Sequence, residues 1–325
     1  MLCLIRHETD PYFNLAAEEY AMRVLPDDCF MLWRNAPAVI VGRHQNTLAE
    51  IDAAFVAANG IPVVRRLSGG GAVFHDLGNL NYTFIVADAH TRIDFRRFSQ
   101  PVLDALRGMG VPARFEGRND LTIDGRKFSG NAEYVHRGRI LHHGTLLFAA
   151  RMSDLSAALR PDPAKFAGKA VQSVRSRVTN ISEHLPQPMT VLEFRDRLMA
   201  HVMAATPGAV AHRFTAEDTA AIERLRDEKY ATWEWNYGHS PAYNYRKSAR
   251  TAGGTVEVGL EVSGGVIVAA SFYGDFFNRR DPAEVAAALV GAPHRPDALR
   301  ERLAALPVDD YFHNVPADEL LRLLI

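Results

Sequence analysis

Cysteine is almost missing from this chain: Cys3 and Cys29 are the only two among 325 residues. Two thiols cannot build a disulfide framework, and no Cys-x-x-Cys pair stands ready for zinc or redox work. A reducing cytosol is the expected setting. Long apolar runs are missing too. Met1-Leu2-Cys3-Leu4-Ile5 meets Arg6-His7-Glu8 at once, too short a run for a signal peptide, and nothing later approaches the ~18 apolar residues of a membrane helix. Neither export nor membrane insertion is expected. There is no surplus of charge of either sign: 37 Lys+Arg against 38 Asp+Glu leave a net charge of −1, without the basic footprint of a nucleic-acid binder. The standard nucleotide signatures are absent as well, since no Gly-Lys-Ser/Thr closes a P-loop and no G-x-G-x-x-G opens a helix after a strand.

What is present is a soluble-protein composition, 47% apolar and 23% charged, over a length that favours about two domains. The stretch around which the chain is organised is Arg65-Arg66-Leu67-Ser68-Gly69-Gly70-Gly71-Ala72-Val73-Phe74-His75-Asp76. Three glycines in a row remove every Cβ, so the backbone can reach positive φ and lay its N–H groups against an anion. Two arginines ahead of them offer forked donors for a carboxylate or phosphate. Val63-Val64 and Ala72-Val73-Phe74 read as strands holding the loop from both sides. Turn chemistry alone fits a ligand cradle and a solvated tight loop equally well.

Before the loop, Asp10-Pro11 caps an amphipathic helix over residues 14–22, and two apolar runs, 30–33 and 38–42, are separated by Asn35-Ala36-Pro37 in the manner of a hairpin. Residues 51–59 read as a helix, 81–86 as a strand and 95–109 as a helix ended by glycine. Helices alternating with strands and antiparallel hairpins predict an α+β or α/β domain built on one sheet. Farther on, residues 190–203 and 215–230 are helical. Past Pro241 the character changes: alternating Val256, Val258, Leu260 and Val262 turn at Ser263-Gly264-Gly265 and return as a hairpin, followed by helices opening at Asp281-Pro282, at 295–306 and at 318–324. The expected division is 1–243 and 244–325, the latter a small α+β domain.

A second informative stretch is Gly117-Arg118-Asn119-Asp120-Leu121-Thr122-Ile123-Asp124-Gly125-Arg126-Lys127-Phe128-Ser129-Gly130. Asp124-Gly125 predicts a two-residue hairpin turn, pairing Ile123 with Arg126, Thr122 with Lys127, Leu121 with Phe128 and Asp120 with Ser129. Leu121, Ile123 and Phe128 then share an apolar face, while Asp120 and Lys127 lie diagonal on the other. A carboxylate for a divalent cation beside a lysine for phosphate oxygens suits chemistry at phosphorus, and the same pattern fits solvated surface charges. His142 and His143 are neighbours on a strand, point to opposite faces and are therefore poor partners for one metal ion. Residues 161–180 form a polar, basic segment that reads as a loop near the site or as a plain connection.

Several segments together resemble the lipoate-protein ligase A family, of the biotin/lipoate protein ligase group, nearly end to end. They are Phe13-Asn14-Leu15-Ala16, Leu32-Trp33-Arg34-Asn35, residues 65–78, Gly117-Arg118-Asn119-Asp120-Leu121, His142-His143-Gly144-Thr145-Leu146-Leu147, residues 173–180 and Trp233-Glu234-Trp235-Asn236. The resemblance implies an α+β catalytic domain related to class II aminoacyl-tRNA synthetase cores, followed by an accessory domain. It implies activation of (R)-lipoate by ATP and Mg²⁺ to lipoyl-AMP. Transfer then goes to a lysine of apo lipoyl domains, those of 2-oxoacid dehydrogenase E2 subunits and of glycine cleavage H protein. Carried over residue by residue, Lys127 and Asp120 take the catalytic positions, with Asp120 on the Mg²⁺ side. Arg66, Ser68, Gly69, Gly70, Gly71, Ala72, Val73, Phe74 and Asn119 join Lys127 around the nucleotide and adenylate. Arg65, His75 and His143 are placed in the acid pocket, and Ser173, Val174 and Arg175 in a loop that covers the adenylate.

Three rival readings remain. An octanoyl or lipoyl transferase of the same fold would work through a cysteine thioester, yet Cys3 and Cys29 lie in neither the glycine-rich nor the His-His segment. A biotin-protein ligase shares the chemical logic, and a non-catalytic module would bind an acyl-adenylate without turning it over.

Overall fold

The computed structural model describes residues 1–45, 47–88, 93–151, 153, 158–159, 178–237, 245–263, 266–294 and 296–324. Among the described residues, eleven strands precede residue 212: β1 (Leu2–Ile5), β2 (Cys29–Trp33), β3 (Ala38–Val41), β4 (Val63–Arg65), β5 (Val73–His75), β6 (Asn79–Ala87), β7 (Ala113–Glu116), β8 (Asp120–Ile123), β9 (Arg126–His136), β10 (Arg139–Leu147) and β11 (Val210–Ala211). Eight of them form one mixed sheet in the order β11-β1-β2-β6-β10-β9-β8-β7, parallel at β11-β1-β2 and antiparallel elsewhere. Side chains alternate between its two faces as period-2 geometry requires. Phe30, Leu32, Phe84 and Val86 meet the helices Phe95–Gly108 and Val191–Ala205 on one side. Met31, Trp33, Ile85 and Leu141 meet the helix Pro11–Val24 on the other. The helix ends are closed locally, by Asp10 at Tyr12 N, by Asp94 at Arg97 N and by a Thr190/Glu193 capping box.

The other three strands make a second, small sheet in the order β4-β3-β5, so the single sheet expected from the sequence is two. The apolar runs 30–33 and 38–42 are therefore no hairpin: β2 pairs with β1 and β6, while β3 pairs with β4 and β5. Asn14 explains the crossing. Its Nδ2 donates to Arg34 O and to Asn35 Oδ1, both at 3.0 Å, while Ala36 N donates to Thr9 O at 2.8 Å, so the connecting peptide groups are satisfied outside either sheet. The glycine loop then spans from β4 to β5, the two neighbours of β3, and is held from both sides as its flanking strands predict.

In the hairpin β8–β9, Ile123 pairs with Arg126 and Thr122 with Lys127 as expected, but a bulge follows, and Leu121 faces Ser129 and Asp120 faces Gly130. The extra residue lets Phe128 stay in the core beside Leu121 and Ile123 while the strand bends on toward β10. Thr122 and Ser129 are buried as well, while Asp120 and Lys127 keep about two-fifths of their side chains exposed.

Toward the C-terminus a third sheet, β12 (Tyr245–Thr251), β13 (Gly254–Ser263) and β14 (Val266–Gly274), is antiparallel throughout, and its core includes the helices Ala283–Leu289, Pro296–Ala304 and Ala317–Leu324. The turn at Gly264-Gly265 lies outside the described residues. Asp281 Oδ1 accepts from Ala283 N at 3.0 Å at the entry to the first of these helices, whose N-cap position is Pro282 and not Asp281 as the sequence suggests. This unit is fastened to the glycine-loop region by a compact set of bonds. His44 Nε2 donates to Asn278 Oδ1 at 2.9 Å and its ring stacks on Phe276, Arg43 pairs with Asp281 at 2.8 Å, and Gly274 N donates to His44 O. Among the described residues, no helix is long and apolar enough to cross a membrane.

Candidate active site

The glycine loop is folded around its own arginine. Arg66 donates from Nε to Ser68 Oγ at 3.1 Å and from Nη2 to Gly69 O and Gly71 O at 2.6 and 2.9 Å. With those carbonyls turned to the guanidinium, the loop is fixed from beneath, and Gly70 takes the positive φ of 93° that a Cβ would oppose. A Cβ at Gly42 would lie 1.9 Å from Gly70 O, so the neighbouring strand end must also lack one. Arg66 is deeply buried, and burial lowers its pKa, with the carboxylates of Glu18 and Asp275 acting in the opposite sense.

Above the loop opens a cavity of about 280 Å³. Gly70, Gly71 and Ala72 give it a backbone floor, and Leu15, Trp33, Ile40 and Val73 an apolar wall. Arg118, Asn119, Asp120 and Lys127 come from the hairpin region, His75, Asn131 and His143 from the strands, and Arg250, Asp275 and Phe277 from the C-terminal unit. Lys127 Nζ meets Asp120 Oδ1 at 2.8 Å with both side chains about two-fifths exposed, so the pair faces the cavity and is free to exchange partners. Asn119 and Asn131 clasp each other, side-chain amide to main-chain carbonyl in both directions.

The two histidines behave differently. His75 Nδ1 faces the amides Asn35 Nδ2 at 3.1 Å and Asn81 Nδ2 at 3.5 Å, so it accepts and Nε2 carries the proton. Burial, together with Arg66 and His143, pushes the His75 pKa down to about 3, so the ring is neutral at pH 7. His143 Nε2 lies 2.6 Å from Ser68 Oγ, and its Nδ1 lies 3.0 Å from Glu18 Oε1. His142, on the opposite face of β10 as expected, pairs instead with buried Glu133 at 2.8 Å.

Not every residue singled out in the sequence reaches the cavity. Arg65 is buried on the far side of the loop, donating to the carbonyls of Gly42, Arg43, Gln45, Trp235 and Asn236 and to Thr47 Oγ1, so it ties Gly42, Arg43, Gln45 and Thr47 to Trp235 and Asn236. Ser68, Gly69 and Phe74 also stand behind the cavity surface. Ser68 supports Arg66, Gly69 packs where a Cβ would meet Phe276 O at 2.1 Å, and Phe74 joins the core of the small sheet. Ser173, Val174 and Arg175 lie outside the described residues. Arg250, Asp275 and Phe277 carried no signal in the sequence, because nothing local ties them to a glycine loop some two hundred residues away. Trp33 and Arg118 stood within quoted motifs without being assigned a place in the site.

Cys3 and Cys29 are buried in β1 and β2 and do not line the cavity. Burial raises both thiols, Cys29 to about 11. Neither is a thiolate at neutral pH.

Comparison with known proteins agrees with this architecture. Residues 10–203 match the lipoyl protein ligase A/B catalytic domain, and residues 240–324 match the bacterial lipoate protein ligase C-terminus. Lipoate-protein ligase LplJ of Bacillus subtilis is 41% identical over 320 residues, covering 97% of each chain. Among solved structures, P. falciparum LipL1 in complex with lipoate superposes with a TM-score of 0.81 at 22% identity over 99% of this chain and 97% of that one, a likeness of fold. A lipoate-protein ligase A bound with ATP gives a TM-score of 0.63 at 28% identity, over 72% of this chain and 98% of its own. With both halves matched in order and the nearly full-length likeness to a named ligase, the chain belongs to the lipoate-protein ligase family.

Proposed function

We propose that this enzyme activates (R)-lipoate with ATP, releasing pyrophosphate, and passes the lipoyl group from lipoyl-AMP to a lysine of an acceptor protein. The observation that carries the reading is one cavity with an apolar wall, a backbone floor of glycines and the Lys127–Asp120 pair at its edge. A carboxylate oxygen of the acid attacks the α-phosphorus and pyrophosphate leaves. The acceptor amine then attacks the acyl carbonyl, AMP leaves and an amide remains. Two anions meet in the first step, so the site must cancel charge as the transition state forms. Lys127 supplies that charge at the reacting groups, while the peptide N–H groups of Gly71 and Ala72 suit phosphate oxygens. Leu15, Trp33, Ile40 and Val73 suit the alkyl chain and dithiolane, where each buried methylene contributes about 0.8 kcal/mol.

Asp120 is a hard oxygen donor on the cavity surface and fits a Mg²⁺ held mainly by nucleotide phosphates. Such an ion would neutralise phosphate charge. We assign Ser173, Val174 and Arg175 to a loop that covers the adenylate, and divide the chain into a catalytic domain of residues 1–243 and an accessory domain of residues 244–325. The acceptors we assign are apo lipoyl domains of 2-oxoacid dehydrogenase E2 subunits and glycine cleavage H protein, in the cytosol. Incubation of the chain with ATP, Mg²⁺, (R)-lipoate and an apo lipoyl domain should raise the acceptor mass by one lipoyl group. An unchanged mass, with acyl transfer instead from an octanoylated carrier, would replace the ligase with a transferase.

A further inference from the structure

Arg66 is a buried cation whose side chain makes no ion pair among the described residues, and its compensation runs through an indirect route. Its Nε donates to Ser68 Oγ at 3.1 Å, and Ser68 Oγ lies 2.6 Å from His143 Nε2. His143 Nδ1 lies 3.0 and 3.1 Å from the two oxygens of Glu18, which is 3% exposed. Thr83 Oγ1 donates to Glu18 Oε1 at 2.5 Å and in turn accepts from Trp33 Nε1 at 2.9 Å.

The donors in this chain can be assigned in one direction. Indole and guanidinium nitrogens only donate, and an ionised carboxylate only accepts. Trp33 therefore donates to Thr83 and Thr83 to Glu18, while His143 donates from Nδ1 to Glu18 and meets the Ser68 hydroxyl with Nε2. Ser68 is left with lone pairs for Arg66. The Arg66 fork can then turn its remaining donors to Gly69 O and Gly71 O, the two bonds that fold the glycine loop. Glu18 is also the strongest favourable charge acting on Arg66.

We propose that Glu18 is a positioning residue for nucleotide binding: through His143 and Ser68 it sets the orientation of Arg66 and so the shape of the glycine loop. It touches neither acid nor nucleotide in this role. A carboxamide at this position could donate to His143 as readily as accept, which would remove both the preference for a proton on Nδ1 and the counter-charge of the guanidinium. The Thr83–Trp33 arm ends on the apolar wall, so the same carboxylate is shared by the two halves of the cavity. The inference rests on the assignment of ATP to the loop, and its two tests separate the ideas.

The first test needs no variant and no ligand. Nitrogen-15 chemical shifts of the ligand-free protein should show the His143 Nδ1 carrying a proton toward Glu18. A bare Nδ1 with the proton on Nε2 alone would overturn the relay whether or not the protein is a ligase. The second is a double-mutant cycle on ATP affinity with Glu18→Gln and Ser68→Ala, each variant first checked for a cooperative thermal transition. Each single change should weaken ATP by about tenfold, the double should be no weaker than the worse single, and Glu18→Asp should recover some of the loss. Additive losses, or unchanged affinity in Glu18→Gln, would overturn the proposal. Should Glu18→Gln fail to fold, Ser68→Ala, at the middle of the same chain, must by itself weaken ATP, and unchanged affinity there would be equally contrary. Should wild-type protein bind no ATP while His143 carries its proton on Nδ1, the functional reading fails and the relay stands.

Discussion

The guanidinium of Arg118 lies 4.5 Å from the ring centroid of Phe277, so a residue of the Gly-Arg-Asn-Asp stretch and one from the C-terminal unit form a single wall of the cavity. Phe277 is fully buried and also approaches Gly70, whose Cβ position is 3.6 Å from its ring. Replacing Phe277 with Ala should cost about 3–5 kcal/mol of stability, as for other buried aromatic truncations. It should raise the KM for ATP more than that for the acid. Chemical unfolding and steady-state kinetics check both, and an ATP KM unchanged in folded protein would mean that the C-terminal unit leaves nucleotide binding untouched.

Lys127→Ala separates chemistry from stability. The Lys127–Asp120 pair is about two-fifths exposed on each side, and pairs of that kind contribute at most about 1 kcal/mol to folding. Loss of a cation aimed at developing charge costs roughly a hundred- to a thousandfold in rate. The variant should therefore unfold close to wild type and lose most acid-dependent pyrophosphate release. Retained turnover would remove Lys127 from the site.

Neither thiol should matter to turnover. Cys3→Ala and Cys29→Ala combined should leave lipoyl transfer per folded molecule within about twofold, and iodoacetamide should label neither cysteine in native protein, since the thiolate is the reactive form and burial disfavours it. Loss of transfer in well-folded double variant would bring back a thioester route.

Acid should loosen the fold through His75. Its pKa falls from 6.5 to about 3 on folding, so between those values the unfolded chain binds more protons than the folded one. Stability is therefore full above pH 6.5 and declines as pH falls through that window, by up to about 1.4 kcal/mol per pH unit for one group. His44, also brought to about 3 by burial and by Arg43, acts in the same direction. Urea unfolding from pH 7.5 to 5 should show the decline, and His75→Gln should flatten it. An unaltered slope would mean that other groups carry the acid sensitivity.

The features of the site that could be read from sequence are those with a local physical cause. Asp124-Gly125 dictates a tight turn, with φ of 49° and 72° at its two residues, and three glycines dictate a Cβ-free loop, so both motifs and the Lys127–Asp120 proximity were legible. The split into two sheets was not, because it depends on Asn14 and Thr9 holding residues 34–36 across tertiary space. The bulge at Leu121 escaped because Phe128-Ser129 fits either register by polarity, and only packing of Phe128 against the core decides. Arg65 and Arg66 looked equivalent as charges. Adjacent positions at a strand end point to opposite sides, and one became the internal brace of Gly42, Arg43, Gln45 and Thr47 while the other organised the loop. Arg250, Asp275 and Phe277 are brought to the cavity by the docking of a separate core, which no local pattern announces.

The most direct measurement is pyrophosphate release from ATP with (R)-lipoate, octanoate or biotin as the acid, in the presence and absence of an apo lipoyl domain. A lipoate-dependent ligase should release pyrophosphate only with lipoate, in a single round without acceptor and repeatedly once the lipoyl domain is added. Release with no acid at all, or with biotin alone, would contradict it.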